Sequence, residues 1–254
     1  MKVAEIVSTS QWSSPPEELV LSEGELHVWR ASLDLKPAHV QALLKTLSTD
    51  EISKAERFYF EKDRRYFIAS RGLLRTILGR YLKTDPSCLR FEYKLHGKPA
   101  LVGEGSGNTY SFNLSHSHGL LLLAITRGRE IGIDLEFIRA ESAEQEIAER
   151  FFAPNEVAKL CSLPADQKQE AFFKCWTRKE AYVKAKGEGL MVPLDQFEVS
   201  LSPGEPAALL NTASYIEASD WSLEELDPGP GYVAALAVQG HVLQLKCWQS
   251  LEEY

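Results

Sequence analysis

Cysteine is scarce in this chain of 254 residues: Cys88, Cys161, Cys175 and Cys247 are widely dispersed, with no CxxC pair and no Cys/His cluster at zinc spacing. That argues against a disulfide framework or a structural zinc site, and reduced thiols in a cytoplasmic protein are the expectation. Long apolar runs are missing too. The longest, Leu120 to Ile125, falls far short of the roughly 20 residues that cross a bilayer and reads as a buried strand, so no membrane partner is expected. The opening Met1-Lys2-Val3-Ala4-Glu5 shows no apolar h-region, so no secretory signal is expected. There is no basic excess. Lys and Arg number 28 against 36 Asp and Glu, a net charge of −8, which argues against a general nucleic-acid binder but leaves room for a local basic pocket. Walker A and strand-following GxGxxG sequences are also absent, so a phosphate ligand would need to be held by side chains and a metal.

Secondary-structure signals fill both halves. Leu26 to Arg30 alternates like a half-buried strand, a helix follows Pro37, and Ser48-Thr49-Asp50-Glu51 is a capping box opening a second helix. A third, over 63–82 with Asp63 as its cap, has Phe67, Leu73, Leu74, Ile77, Leu78 and Tyr81 at helical spacing and Arg64, Arg71 and Arg75 on its other face. Strands are expected over 90–93, 110–113, 120–126 and 131–137, with a turn-rich loop at 103–107. A helix from about Pro164 to Lys186 stops at Gly187, and strands follow at 232–238 and 242–248. A helical segment with strands after it, 37 to 136, is loosely echoed over 142 to 248 without any sequence repeat. The expected boundary is at Arg127-Gly128-Arg129, giving subdomains 1–128 and 129–254, the second carrying the metal and catalytic motifs.

Asp134 and Glu136 sit two apart on a strand and so share one face, with Ile133, Leu135 and Phe137 on the other. Adjacent carboxylates repel unless a cation lies between them, and a hard cation, Mg²⁺ or Mn²⁺, suits oxygen ligands. The bland alternative is an edge strand with a solvated acidic face. Trp176, Glu180 and Lys184 line one helix face. As a plain ion pair, Glu180 and Lys184 would contribute only about 0.3–0.5 kcal/mol. Large aromatics flank this helix, and Lys174, Arg178, Lys179, Lys184 and Lys186 crowd it with cations. Asn113-Leu114-Ser115-His116-Ser117-His118 reads as a polar loop after a strand, able to hold a phosphate or simply to satisfy its own hydroxyls. Ser115 lies outside any GxSxG elbow, and neighbours on an extended chain point apart, so Ser115 and His116 do not make a nucleophile–base pair.

Taken in order, Gly97-Lys98-Pro99, Phe112 to Ser117, Gly132-Ile133-Asp134-Leu135-Glu136 and Phe173 to Gly187 resemble the Sfp-type 4′-phosphopantetheinyl transferases. Arg57-Phe58-Tyr59 and the helix after Asp63 extend the likeness upstream. The resemblance implies an α+β fold of two similar α/β subdomains in one chain, related by a pseudo-twofold axis with the active site in the cleft between them. It implies Mg²⁺-dependent transfer of phosphopantetheine from coenzyme A to a serine of an apo acyl or peptidyl carrier protein, releasing 3′,5′-adenosine bisphosphate. The pathway served would be fatty-acid, polyketide or nonribosomal-peptide synthesis, and the enzyme a cytoplasmic monomer. Position by position, Asp134, Glu136 and Glu180 resemble the metal triad, Glu180 also the general base, and Lys184 the diphosphate contact. Lys98, Ser115 and His116 resemble nucleotide or phosphate contacts. Lys54 and Arg57 fall where cations approach the 3′-phosphate. Glu51 stands where some members have lysine, with Arg71 supplying the charge instead. Arg178 or Lys179 would belong to a carrier-docking patch. Two rivals remain: a Mg²⁺-dependent phosphohydrolase, which would release phosphate or nucleotide without a carrier, and a coenzyme A-binding scaffold indifferent to Mg²⁺.

Overall fold

The computed structural model describes residues 11–93, 97–102, 110–139, 144–187, 189, 192–212, 218–242 and 244–250. The glycine-rich stretch 103–107 lies outside them. The chain forms two compact units, one built on Trp12–Gly128 and the other on Arg129–Val242.

The N-terminal unit runs β1 (Glu25–Ser32), α1 (Pro37–Leu44), α2 (Thr49–Ala55) and α3 (Glu61–Leu82). A 3₁₀ turn at Pro86–Cys88 follows, then β2 (Phe91–Tyr93), β3 (Pro99–Leu101), β4 (Tyr110–Ser117) and β5 (Leu120–Arg127). The C-terminal unit repeats the order with β6 (Ile131–Phe137), α4 (Glu144–Phe151), α5 (Pro154–Ser162) and α6 (Ala165–Lys186). A 3₁₀ turn at Leu194–Gln196 leads to β7 (Glu198–Val199), β8 (Leu209–Asn211), β9 (Trp221–Leu226) and β10 (Tyr232–Gln239). The sheets repeat as well: β1-β5-β4 in one unit matches β6-β10-β9 in the other, antiparallel throughout. The architecture is α+β, duplicated in topology although the sequence carries no visible repeat.

Expected in the C-terminal subdomain, the last strand, β11 (Gln244–Gln249), instead groups with the N-terminal unit. It pairs parallel with β1 from Glu25↔Gln244 to Arg30↔Gln249. Parallel neighbours need a long crossover, and here the rest of the N-terminal unit and the whole C-terminal unit supply it. Lys246 Nζ bonds Glu25 Oε1 at 2.8 Å, and Trp248 sets its indole edge-on to His27.

Capping chemistry explains the helix starts. Ser48 N donates to Glu51 Oε2 at 3.0 Å, the expected box. Helix α3 starts two residues before Asp63, with Phe60 at the cap and Asp63 inside the first turn. Pro164 is the N-cap of α6, and Gly187, at φ 70°, returns its N–H to Val183 O. Each unit has a main apolar core. Trp29, Leu74, Ile77, Leu78, Leu121, Leu123 and Ile125 centre the first, and Phe172, Phe173, Tyr182, Phe197, Ala235 and Ala237 the second. The N-terminal unit adds a smaller cluster of Val40, Leu47, Ala55 and Ile68. Among the described residues no helix is long and apolar enough to cross a membrane.

Candidate active site

Strand β6 lays Gly132, Asp134 and Glu136 on the face toward α6, while Ile131, Ile133 and Leu135 are buried on the other. A Cβ at Gly132 would collide with the backbone of α6, at Ala181 O and Ala185 N. The glycine therefore lets helix and strand approach backbone to backbone, and the small Ala181 and Ala185 complete the contact. Asp134 comes next along that face. Lys184 Nζ donates to Asp134 Oδ1 at 2.5 Å, and the aspartate is only 4% exposed. Lys184 thus reaches an acid across the helix–strand seam, beyond the helix neighbour that spacing alone offers it.

Glu180 lies one helical turn before Lys184. Its carboxyl pKa is raised, first by burial and next by the negative charge of Asp134; Lys184 opposes this and Glu136 adds to it. All four side chains therefore share one electrostatic neighbourhood. Among the described residues no three His, Cys, Asp or Glu side chains already stand as an assembled metal cage. The donor chemistry nonetheless fits a hard divalent cation. The donors are all carboxylate oxygens, their mutual repulsion is visible at Glu180, and the ammonium of Lys184 already supplies part of the countercharge.

The other expected contacts lie in the N-terminal unit. Lys54 and Arg57 are exposed, with Lys54 Nζ 5.5 Å from the centre of the Phe67 ring. Arg71 is buried: it pairs with Glu51 at 2.6 Å, and its Nη2 donates to Tyr93 Oη at 3.2 Å. Lys98 is half-buried beside Gly97, whose φ is 83°. The polar stretch 113–118 is not a loop. β4 continues through Ser117, then turns on His118 and Gly119, both at positive φ (45° and 83°), as in a two-residue hairpin. Its pairing with the apolar β5 sets this conformation, from Tyr110↔Arg127 to Ser117↔Leu120. Ser115 is buried and His116 exposed, on opposite faces of β4.

Arg178 and Lys179 are only 1% and 0% exposed, which removes them from any docking patch. Arg178 Nη1 donates to Ser200 O at 2.6 Å and its Nη2 to Glu225 Oε2 at 2.6 Å. Lys179 Nζ bonds Glu156 Oε2 at 2.8 Å and the carbonyls of Leu194 and Phe197, both at 2.6 Å. Neither Glu156 nor the contact at Gly132 had been singled out from sequence. The signal was there: Pro154 at the first helical position and Glu156 at the third mark a helix start.

Residues 130–237 match the model of the 4′-phosphopantetheinyl transferase superfamily, and residues 29–127 match that of the 4′-phosphopantetheinyl transferase N-terminal region. The chain is 46% identical over 237 residues to the 4′-phosphopantetheinyl transferase HetI of Nostoc sp., covering 93% of this chain and 97% of that one. It is 36% identical over 171 residues to the putative 4′-phosphopantetheinyl transferase slr0495 of Synechocystis sp., covering 66% and 68%. To the 4′-phosphopantetheinyl transferase Sfp of Bacillus subtilis it is 29% identical over 196 residues, covering 77% and 84%. With both halves matched and a relative of this identity aligned almost end to end, the chain belongs to the 4′-phosphopantetheinyl transferase superfamily and is an enzyme that transfers phosphopantetheine to carrier proteins.

Proposed function

We propose that the donor is coenzyme A, that Mg²⁺ (or Mn²⁺) is required, and that the acceptor is a serine hydroxyl of an apo acyl or peptidyl carrier protein. The observation that carries this reading is the neighbourhood of three carboxylates and one ammonium where α6 meets β6. In the reaction the serine oxygen bonds to the phosphorus on the pantetheine side of the diphosphate. The P–O bond to the adenosine side breaks, and 3′,5′-adenosine bisphosphate leaves with the electron pair. Asp134, Glu136 and Glu180 would hold the cation, which when bound supplies charge neutralisation to the diphosphate. Glu180, beside the reacting groups, accepts the serine proton directly or through water. Lys184, no longer needed by Asp134 once a cation serves that acid, stabilises charge on the leaving group. No covalent enzyme intermediate is required.

In the N-terminal unit, Lys54, Arg57 and Arg71 are assigned to the 3′-phosphate. The charge balance around Glu51 supports Arg71: two guanidinium groups, Arg71 and Arg75, pair with one carboxylate and leave a net positive charge. Lys98, Ser115 and His116 are assigned to nucleotide or phosphate contacts, the last two reaching different parts of the ligand because they face opposite ways. A cytoplasmic enzyme fits the four free thiols, and a monomer fits a single chain that carries both family halves.

The test is incubation with coenzyme A, Mg²⁺ and an apo-carrier protein, read by intact-mass spectrometry. The carrier should gain phosphopantetheine, lose that gain with a chelator and recover it on Mg²⁺ addition. Release of nucleotide without a carrier would support a hydrolase instead, and coenzyme A binding with no transfer to any carrier would support a scaffold.

A further inference from the structure

The two units share more than strand order: they share one internal clamp. In the C-terminal unit, Glu156 is the third residue of α5, and its carboxylate accepts from Ala153 N at 2.8 Å and Val199 N at 2.7 Å. Lys179 of α6 brings its ammonium to that carboxylate and spends its remaining donors on Leu194 O and Phe197 O, the start and the exit of the 3₁₀ turn. In the N-terminal unit, Glu51 is the third residue of α2 and accepts from Ser48 N. Arg75 of α3 pairs with it at 2.7 Å and donates to Pro86 O and Leu89 O, both at 3.0 Å, again the start and the exit of a 3₁₀ turn. Both long helices have 22 residues, and Arg75 and Lys179 occupy the same position along them. Two different cations thus perform one wiring task in two copies of one frame. Arg75 and Lys179 are 1% and 0% exposed, so neither is a surface ion pair.

What differs is the neighbour. The residue after Arg75 is Thr76, whereas the residue after Lys179 is Glu180, with Lys184 one turn further on. Gly132 sets how closely α6 approaches β6, but a contact between two backbones does not by itself set the rotation of the helix about its axis. Lys179 ties α6 to α5 and to the 3₁₀ turn at once, beside the tie that Arg178 makes to Ser200 and Glu225, and anchors of this kind restrict rotation. Side-chain tips lie roughly 5–6 Å from a helix axis, so a 20° rotation moves a carboxylate on the order of 2 Å. A misplacement of about 1 Å can cost about a hundredfold in rate.

We propose that Lys179, through Glu156, is a positioning residue that sets the rotation of α6 and thereby aims Glu180 and Lys184 at the reacting groups. This rests on the roles given above to Asp134, Glu136, Glu180 and Lys184. It is tested with Lys179→Arg and with the double variant Glu156→Gln/Lys179→Met, which removes both charges together and so leaves no buried charge unpaired. Each protein is followed by thermal melting, by kcat and KM in carrier modification, and by Mn²⁺ binding to the protein without coenzyme A, read by electron paramagnetic resonance. Lys179→Arg should keep kcat within about threefold of wild type, because a guanidinium does the same task at Arg75. The double variant should melt cooperatively, lose at least about tenfold in kcat with KM for the carrier little changed, and bind Mn²⁺ at least about fivefold more weakly. A folded double variant with wild-type kcat and Mn²⁺ affinity would overturn the proposal and leave the clamp a stabilising feature only. If the double variant does not fold, Glu156→Gln decides, since it weakens the tie of Lys179 to α5 while leaving the contacts to Leu194 O and Phe197 O: a cooperative melt with kcat down at least about fivefold supports the proposal, and a cooperative melt with wild-type kcat overturns it. A wild-type protein that modifies its carrier yet binds no Mn²⁺ removes the metal role of the three carboxylates, and Lys179 is then judged on kcat.

Discussion

Gly132→Ala is the sharpest perturbation this structure offers, because a single methyl group separates a working seam from a broken one. The added Cβ would fall on Ala181 O and Ala185 N, both backbone atoms that no rotamer change can move aside. Relief requires α6 to lift from β6 by about 1 Å or more, to restore a tolerable contact of roughly 3.4 Å or greater. Overpacking of this kind costs about 1–3 kcal/mol. With a urea m-value of about 2 kcal/mol/M, the midpoint should fall by roughly 0.5–1.5 M. The lift carries Glu180 and Lys184 with it, so turnover should drop about 10- to 100-fold even in the fraction that is folded. Gly240→Ala is the matched control. It sits at φ 77° with nothing within 4 Å of the new Cβ, so it pays only the left-handed backbone penalty of about 1–2 kcal/mol and should keep full turnover. Urea melts and initial-rate assays on both variants decide the matter. A Gly132→Ala protein with a wild-type midpoint and wild-type turnover would refute the close helix–strand contact, and equal loss of turnover in both variants would reduce the effect to general destabilisation.

Two further outcomes are expected. Glu180→Gln keeps the shape of the side chain and removes its basicity, so coenzyme A binding by calorimetry should survive while turnover falls at least about a hundredfold; near-normal turnover would end its role as proton acceptor. His27 is buried and its pKa is held at about 4, first by burial and then by the positive charge of Lys246, with Glu25 opposing. Its folded pKa lies below its unfolded value of 6.5, so stability is intact above pH 6.5 and is lost as pH falls toward 4. Between pH 7.5 and 5 the loss should be about 2 kcal/mol. Urea midpoints across that range should fall in the wild type and fall less in His27→Asn, and parallel slopes would mean that His27 is not the group responsible.

Much of the candidate site was legible because its signals are local. The period of two places Asp134 and Glu136 on one face, and the helical period aligns Glu180 with Lys184; β6 spans Ile131–Phe137 as expected. What escaped was set by partners distant in sequence. Ser115 and Ser117 look like loop residues because their own polarity hides a strand that β5 imposes by pairing. Lys179 looks like a surface cation because nothing nearby in sequence announces Glu156 or the carbonyls of Leu194 and Phe197. The final strand was legible, expected over 242–248 and found at Gln244–Gln249, but its unit could not be read from its own residues, since its pairing edge on β1 lies more than two hundred residues earlier.

The duplicated frame also bears on why the proposed carboxylate site has no counterpart in the other copy. The strand β1 of the N-terminal unit corresponds to β6, and toward α3 it presents His27, Trp29 and Ala31 where β6 presents Gly132, Asp134 and Glu136. Trp29 donates from its indole N–H to Tyr81 Oη at 2.9 Å, and His27 Nδ1 lies 2.7 Å from the same oxygen. Three aromatic rings therefore fill the N-terminal seam and hold α3 at side-chain distance from its strand. At the C-terminal seam a glycine replaces that bulk, the helix comes down onto the strand, and carboxylates can face each other across a gap too small for another ring. Bringing acids together beside the buried Asp134 is costly unless charge is returned to them, and Lys184 returns one positive charge to Asp134. The carboxylate pair assigned to the cation under the proposed function occurs where the strand reads Gly-x-Asp-x-Glu, and β1 has no counterpart to it. Restoring bulk at this seam should therefore abolish cation binding before it abolishes the fold, which is why Gly132→Ala, read by Mn²⁺ affinity as well as by turnover, distinguishes a shaped metal seam from an ordinary helix packed on a sheet.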